Sequence, residues 1–234
     1  GRGISPIELD YYGLNLDDGP AIYRETFDLI TQGLVNNVLT HKGEFFNVAN
    51  MPFPLSAVQK PHPPLWYGIA NPASTEWPAQ NGLNVITNQT VAATKEIISN
   101  YKMTWESSAQ VSNQLPRLGM TRYLVIAKSK ETALNSARRA YPVWRKSFMA
   151  LWDLHGKSTP GGGYPETFDG LMETGQGFAG TSTEVLDVIG NQIQECGINY
   201  FVSRFAFGNL TYEESSQSIR LFAEDVMPQL SNLF

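Results

Sequence analysis

The sequence predicts an α/β fold built on a parallel sheet, and more specifically half of an eight-stranded barrel. Four short apolar segments alternate with segments of helical spacing, which is typical of a parallel sheet covered by helices. Four such strands alone would leave exposed edges, and a complete barrel takes about 250 residues or more. The predicted strands are residues 65–70, 83–87, 121–128 and 198–205.

The first 60 residues contain a predicted helix and an extended segment. Apolar residues at helical spacing follow Pro20 and run from Ile22 to Val38, which predicts a helix. Residues 42–60 contain two prolines and two adjacent phenylalanines. Because each proline disfavours a helix, short extended pieces are expected there.

Residues 63–87 are the most informative stretch. The strand at 65–70 is broken by Asn71-Pro72, and Ser74 and Thr75 then precede a short helix that ends near Gly82. A strand, helix and strand in this order predict two parallel strands. Hydroxyl and backbone N–H groups at such a helix start can bind an anion, or Ser74 and Thr75 can merely cap the helix. The residues alone leave both readings open.

The rest of the chain alternates predicted helices with the remaining strands. Helices are expected over 91–103, 131–154, with Pro142 kinking or dividing it, and 212–223, and a capping box at 181–184 opens another. Residues 155–180 are rich in glycine and proline, which predicts a flexible, lid-like insertion. No linker is apparent, so a single domain over 1–234 is expected.

Composition excludes several classes of protein. Hydrophobic residues make up 42% and charged residues 17%, as in ordinary globular proteins. The net charge of −5 and pI of about 5.2 argue against a nucleic-acid partner. A single cysteine favours a reducing compartment. The absence of a long apolar stretch or a leader-like N-terminus argues against a membrane, so a cytoplasmic location is expected.

Few local motifs point to chemistry. Residues 175–180 match G-x-G-x-x-G but lack the preceding strand of a dinucleotide site, so a flexible hinge is the better interpretation. The three histidines are scattered, so no metal site is predicted. There is no G-x-S-x-G or Walker motif. Arg204 ends a predicted strand, where it either points to an active face or pairs with a carboxylate.

Several segments, in order, resemble the bacterial luciferase-like flavin monooxygenase family. Gly1-Arg2-Gly3, with Glu8 and Tyr12-Gly13, resembles the end of the family's fourth barrel strand, and residues 41–46 resemble its H-x-G-x-x-F segment. Residues 61–64, with 73–77 and Gly82, resemble its fifth strand and flavin-phosphate turn. Residues 180–185 resemble the start of the helix after the insertion, and residues 221–228 resemble the terminal helix.

The resemblance implies a TIM-type barrel of which this chain holds strands five to eight. It implies an enzyme that uses reduced flavin and O₂ to oxidise a small organic substrate, with FMN or a deazaflavin as cofactor and a flavin reductase as partner. A homo- or heterodimer is expected. By resemblance, the flavin-phosphate contacts are Arg2, Asn71, Ser74 and Thr75. No catalytic residue is assigned, because none of the histidines matches the family's proton-transfer histidine.

Alternatives remain open beside the monooxygenase. A non-catalytic flavin-binding relative would share these segments without turnover, and an unrelated phosphate-binding half-barrel needs only the turn at Ser74 and Thr75. The chain also begins without methionine, on what resembles the tail of a strand. An incomplete protein, or an inactive half-barrel fragment, is therefore expected as a further alternative.

Overall fold

The computed structural model describes residues 3, 5–55, 57–108, 114–159 and 163–233. Contacts between Cα atoms divide the chain into two compact units, Gly1–Leu65 and Trp66–Phe234. The sequence showed no linker at this boundary, and the expectation of a single domain stays a prediction. No helix among the described residues combines the length and apolar composition needed to span a bilayer.

The first unit contains two helices and a hairpin. Helices α1 (Pro6–Tyr11) and α2 (Gly19–Val35) precede strands β1 (Val38–Lys42) and β2 (Asn47–Pro52), which pair antiparallel. The expected helix therefore ends at Val35, and Val38 begins a strand instead. Of the extended pieces predicted for residues 42–60, β2 is present.

Glu25 of α2 holds the hairpin loop that carries the H-x-G-x-x-F segment. Its carboxylate accepts the backbone N–H groups of Glu44, Phe45 and Phe46 at 2.7 to 3.2 Å and lies 3.1 Å from Nε2 of His41. Burial raises the pKa of the Glu25 carboxyl, but these hydrogen bonds outweigh it and hold the pKa below its usual value. This segment of the family resemblance thus has a structural role within its unit.

The second unit is organised around a five-stranded sheet in which every pair is parallel. All four predicted strands are present, and a fifth, β6, was not predicted. Strand β5 begins three residues earlier than predicted, because Leu118–Met120 pair with β4, and all nine of its residues are buried. The strands are β3 (Trp66–Gly68), β4 (Asn84–Thr87), β5 (Leu118–Ile126), β6 (Gly177–Gly180) and β7 (Tyr200–Arg204).

Strand β5 is the centre of the sheet. It pairs with β4 through the Arg117 carbonyl and with β6 through the Tyr123 N–H, whereas its Leu118 carbonyl bonds to the N–H of Asn199, just before β7. Since alternate residues of a strand direct their backbone groups to opposite sides, β4 and β6 share one edge of β5 and β7 occupies the other. Strand β6 thus continues the sheet beyond the end of β4.

The helices of the second unit follow the predicted order. The predicted helix near 77–81 is short, and the helix containing Pro142 is not divided by it. The final predicted helix continues through a π-helical segment, Phe222–Val226. The helices are α3 (Glu76–Gln80), α4 (Val91–Ser107), α5 (Lys130–Leu154), α6 (Phe168–Glu173), α7 (Ser182–Cys196), α8 (Tyr212–Leu221) and α9 (Met227–Leu230).

The sheet has two chemically different faces. Even-numbered residues of β5, such as Met120 and Leu124, belong to a core with residues of α4, α7 and α9; we call this side the first face. Odd-numbered residues, such as Tyr123 and Val125, form the second face, whose carboxyl end packs against α5 and α6.

The segment 155–180 is more structured than predicted. The Tyr141 hydroxyl donates to the Pro165 carbonyl at 2.7 Å, and Nε of Arg145 donates to the Tyr164 carbonyl at 3.1 Å. Helix α6 and strand β6 then occupy most of its second half. Residues 160–162 lie outside the described residues, and the lid-like insertion over 155–180 stays a prediction.

The glycines at 175–180 do not form a hinge. Strand β6 lies within this stretch, paired with residues 123–126 of β5, and its Gly177 is buried. A Cβ at Gly177 would lie 2.8 Å from the Leu171 side chain and 3.2 Å from the Tyr123 carbonyl oxygen. The hinge interpretation was wrong because close packing, rather than flexibility, requires this glycine.

Candidate functional site

The predicted phosphate turn lies where β3 ends. The Asn71 side chain accepts the Ala73 N–H at 2.9 Å and caps a 3-10 turn over Pro72–Ser74. Helix α3 follows directly, with Thr75 at its N-cap position. The strand, turn and helix are therefore arranged as the sequence predicted, and the turn follows the carboxyl end of a parallel strand, where α/β sheets bind ligands.

Neither hydroxyl of this turn caps α3. The Thr75 hydroxyl is buried and donates to the Pro72 carbonyl at 2.9 Å, so it makes no capping bond. The half-buried Ser74 hydroxyl takes part in no hydrogen bond with the residues that the structure describes. The capping interpretation was wrong for both hydroxyls, because α3 has no side-chain cap and the Asn71 cap belongs to the 3-10 turn before it. Arg2, the fourth predicted contact, lies outside the described residues.

A second polar group lies on the second face, at the level where β7 ends. Tyr123 of β5 and Arg204, the last residue of β7, are Cα partners in the parallel register. Nη1 of Arg204 donates to the Tyr123 hydroxyl at 2.6 Å, and the guanidinium lies 4.8 Å from the centre of that ring. Arg204 forms no ion pair with any carboxylate of the described residues. Of the two expectations for Arg204, pairing with a carboxylate is wrong.

Aromatic side chains fix the ring of Tyr123. Four rings surround it at centroid distances of 4.9 to 6.3 Å, mostly edge to face, which is a favourable arrangement for aromatic pairs. They belong to Tyr141, Trp144, Tyr164 and Phe207. Tyr123 is therefore only 2% exposed. Because these neighbours hold the ring, its hydroxyl stays in place to accept the hydrogen bond from Arg204.

The charge of Arg204 is not neutralised by this tyrosine. Burial raises the pKa of the Tyr123 phenol above its ordinary value, although the nearby Arg204 acts in the opposite direction. The phenol is thus protonated at neutral pH. It accepts a hydrogen bond from Arg204 and keeps its own proton available as a donor.

A third set of polar contacts joins β4 to the 155–180 segment. The Asn88 side chain, which follows β4, donates to the Tyr164 hydroxyl, and the Gln176 side chain donates to the Asn88 carbonyl at 2.7 Å. Tyr164 also packs against Tyr123. The residues around the ends of β4, β5 and β7 are thereby connected through one tyrosine.

Sequence reasoning missed the residues that hold Arg204. Tyr123 was predicted to be a strand residue of the apolar segment 121–128, and neither Asn88 nor Tyr164 was singled out. The one available signal was a tyrosine in the middle of the apolar segment 121–128. The pairing of residues 81 positions apart needs the strand register, which the sequence does not specify.

Comparisons with known proteins identify relatives of the whole chain. The profile of the luciferase-like monooxygenase family matches residues 1–199. The uncharacterized protein y4wF of Sinorhizobium fredii (strain NBRC 101917 / NGR234) is 30% identical over 230 residues, which make up 98% of this chain and 67% of that protein.

Solved structures share the fold at low sequence identity. Monooxygenase RslO1 from Streptomyces bottropensis has a TM-score of 0.81 and 19% identity, over 98% of this chain and 67% of that one. The oxygenating constituent of 3,6-diketocamphane monooxygenase from Pseudomonas putida, in complex with FMN, has a TM-score of 0.70 and 13% identity, over 98% and 69%.

A third structure belongs to a protein named for a different cofactor, coenzyme F420. The coenzyme F420 dependent tetrahydromethanopterin reductase from Methanopyrus kandleri has a TM-score of 0.63 and 15% identity, over 89% of this chain and 62% of that one. These neighbours share an α/β fold with a parallel sheet. Since the family profile covers most of its length, the chain belongs to the luciferase-like monooxygenase family.

Proposed function

We propose that the chain is the flavin-binding part of an oxidoreductase, a flavin-dependent monooxygenase that uses reduced flavin and O₂ to oxidise a small organic substrate. The observation that carries this proposal is the family match over residues 1–199. The polar turn after β3 supports it, because ligands of parallel α/β sheets bind at the carboxyl ends of the strands.

Strands β3, β4, β5 and β7 are proposed to be strands five to eight of a TIM-type barrel, with β6 as an additional strand beside β5. Within the described residues β3 pairs only with β4, and β7 pairs only with β5. Each of these two strands therefore has one edge without a strand neighbour, whereas a closed barrel has none. Four further strands would join these edges and complete the site around a flavin.

The turn after β3 suits a phosphorylated flavin in part. The Ser74 hydroxyl has no hydrogen-bond partner in the part of the chain that the structure describes, so it can donate to a ligand, and the exposed Asn71 lies at the start of the 3-10 turn. Thr75 fits less well through its side chain, because its hydroxyl proton is already donated to Pro72. Arg2 is kept as the fourth proposed contact from the family resemblance.

A bound reduced flavin supplies the electrons that activate O₂, and the protein's residues position it and keep water away. Donors in the turn would hold the phosphate. The aromatic residues around Tyr123 would exclude water from the carboxyl end of the second face. We propose FMN as the cofactor, with a deazaflavin as the alternative that the F420-dependent neighbour supports.

The proposal includes partners that supply and complete the site. A flavin reductase would deliver the reduced cofactor, and a homo- or heterodimer in the cytoplasm would be the working form. The related, non-catalytic possibility is a family member that holds flavin without turnover. The unrelated half-barrel is excluded by family membership.

Flavin binding and oxygen consumption test the proposal separately. The chain, alone and with a first half-barrel supplied from a family member, is titrated with FMN, riboflavin and F420 and followed by flavin fluorescence. Oxygen uptake is then measured with NADH and a flavin reductase. We expect FMN to bind and substrate-dependent uptake to follow. Binding without uptake would favour the non-catalytic relative, and no binding of any flavin would overturn the proposal.

A further inference from the structure

We propose that Arg204, held in place by Tyr123, is an oxyanion-binding residue on the second face of the sheet, and that its ligand is a carboxylate or phosphate group of a small molecule. The proposal needs only the sheet of the second unit and does not depend on flavin binding. Three observations support it: a charge without a counter-ion, hydroxyl groups on the same face, and a side-chain position fixed by Tyr123.

The charge of Arg204 differs from that of the arginines on α5. Arg138 is paired with Asp169 and Arg139 with Glu214, at 2.7 and 2.5 Å. Arg204, in contrast, is half-buried and has only a neutral phenol as its hydrogen-bond partner among the described residues. A partly desolvated charge without a counter-ion is unfavourable, so an anion placed against it gains in affinity.

Two hydroxyl groups of β5 lie on the same face as Arg204. The Tyr123 phenol keeps a free proton, and the Thr121 hydroxyl, two residues earlier, is buried without a hydrogen-bond partner among the described residues. A buried polar group that lacks a partner calls for one. Hydroxyls can donate or accept, whereas a guanidinium can only donate, so the group that suits all three is an acceptor, and its negative charge would also balance that of Arg204.

The guanidinium is also positioned before any ligand arrives. Its contact with the Tyr123 ring and its hydrogen bond to the phenol restrict the position of the guanidinium, and aromatic neighbours hold the ring itself. A positioned arginine loses less conformational freedom on binding than a solvated one. The support therefore favours a binding role over a merely solvated charge.

A matched arginine elsewhere in the sheet gives the control. Arg117 lies 5.2 Å from the ring centre of Tyr200, the first residue of β7, so it makes the same kind of contact at the opposite, amino end of the strands. If stacking on a tyrosine were all that Arg204 does, the two arginines would behave alike. An oxyanion site predicts that only Arg204 matters.

The test titrates the chain with sodium acetate and with inorganic phosphate at constant ionic strength, balanced with chloride, and follows tryptophan fluorescence. Trp144, 4.9 Å from Tyr123, supplies the signal. We expect saturable binding of at least one anion, on the order of tenfold or more weaker in Arg204→Gln and unchanged in Arg117→Gln. Arg204→Lys keeps the positive charge but lacks the two parallel N–H donors of a guanidinium, so anion affinity is expected to fall by about threefold to tenfold.

The outcomes decide the proposal and also identify the source of the anion. No saturable response to either anion, or equal losses in Arg204→Gln and Arg117→Gln, would overturn it. Acetate binding without phosphate binding supports it and indicates a substrate carboxylate. Phosphate binding, with an FMN affinity that falls in Arg204→Gln while riboflavin affinity does not, supports it and indicates the cofactor. If no flavin binds at all, the acetate and phosphate results still stand.

Discussion

Two arginines on neighbouring strands, Arg122 and Arg204, show how differently the two faces of the sheet treat the same side chain. Arg122 lies on the first face and is 1% exposed. Its Nε donates to Gln192 and its Nη1 to the carbonyl of Thr121, while Nη2 is buried without a partner. Arg204 lies on the second face, half-buried and supported by Tyr123.

The two arginines differ in whether a small molecule can contact the guanidinium. Burial lowers the pKa of Arg122 to about 10, so the guanidinium remains charged at neutral pH but is sealed between β5 and α7 by neutral groups. No small molecule can reach it without opening the core. Arg204 keeps part of its surface accessible, and its guanidinium bonds only to the Tyr123 phenol among the described residues. Position in the sheet therefore separates a structural arginine from a binding one.

The largest expected effect comes from removing Arg122. Arg122→Ala leaves a cavity in the first-face core and deprives Gln192 of its donor, so the free energy of unfolding should fall by about 2–5 kcal/mol. Arg122→Met fills the space without an unpaired charge, and a change within about 1.5 kcal/mol is expected. Urea unfolding followed by circular dichroism measures both.

A structural role for Arg122 also predicts unchanged anion binding. Acetate and phosphate titrations of Arg122→Met should match those of the unmodified chain. A loss in Arg122→Met as large as that in Arg122→Ala would show that the buried charge itself stabilises the core, and the contrast between the two faces would fail.

Tyr123→Phe tests the support on the second face. The substitution keeps the ring and its aromatic contacts but removes a hydroxyl that accepts from a charged donor, so a loss of about 1–2 kcal/mol in unfolding free energy is expected. Tyr141→Phe is the control, because that hydroxyl donates to the neutral Pro165 carbonyl. Only Tyr123→Phe should also weaken anion binding.

Exposed charges on the helices should contribute less than either arginine of the sheet. The bond from Arg139, with help from Ser136 and the Thr211 N–H, lowers the pKa of Glu214 to about 2, against an ordinary value of 4.5. The folded-state pKa is depressed, so this stabilisation is present above about pH 4.5 and is lost as the pH falls towards 2. Glu214→Gln should cost about 0.5–1 kcal/mol at pH 7, since such partly exposed pairs are screened.

Thermal unfolding between pH 2 and pH 7 measures this effect. The gap between the unmodified chain and Glu214→Gln should close across the window from pH 4.5 to pH 2. Glu184 in the matching capping box of α7 is the control: Lys130, itself largely exposed, lowers its pKa, and a smaller gap is expected for Glu184→Gln. If the difference in stability between the unmodified chain and Glu214→Gln did not change with pH, the negative charge of Glu214 would not be what stabilises α8.

The sequence was informative about elements with strong local signals and silent about tertiary pairing. The four apolar strands were predicted because their periodicity is local. Strand β6 was missed because Gly177, Phe178, Ala179 and Gly180 carry no β-branched residue, and only packing against β5 makes them a strand. The turn containing Ser74 was predicted, but the pairing of Tyr123 with Arg204 depends on the register of two strands far apart in sequence.

The smallest expected change in stability belongs to Ser74→Ala, and it contrasts the turn after β3 with the arginine sites. Because the Ser74 hydroxyl makes no hydrogen bond with the described residues, its removal should alter the unfolding free energy by less than about 0.5 kcal/mol. Asn71→Ala is the control: it removes the cap of the 3-10 turn and should lower the unfolding free energy by about 1 kcal/mol. If the turn binds the flavin phosphate, Ser74→Ala should still weaken FMN by about 1 kcal/mol, or roughly fivefold, and leave riboflavin unchanged. Parallel titrations with the two flavins separate these effects, and equal losses for both would place the phosphate elsewhere. A substitution that weakens ligand binding without lowering the unfolding free energy is the result expected for a ligand contact on a preformed turn.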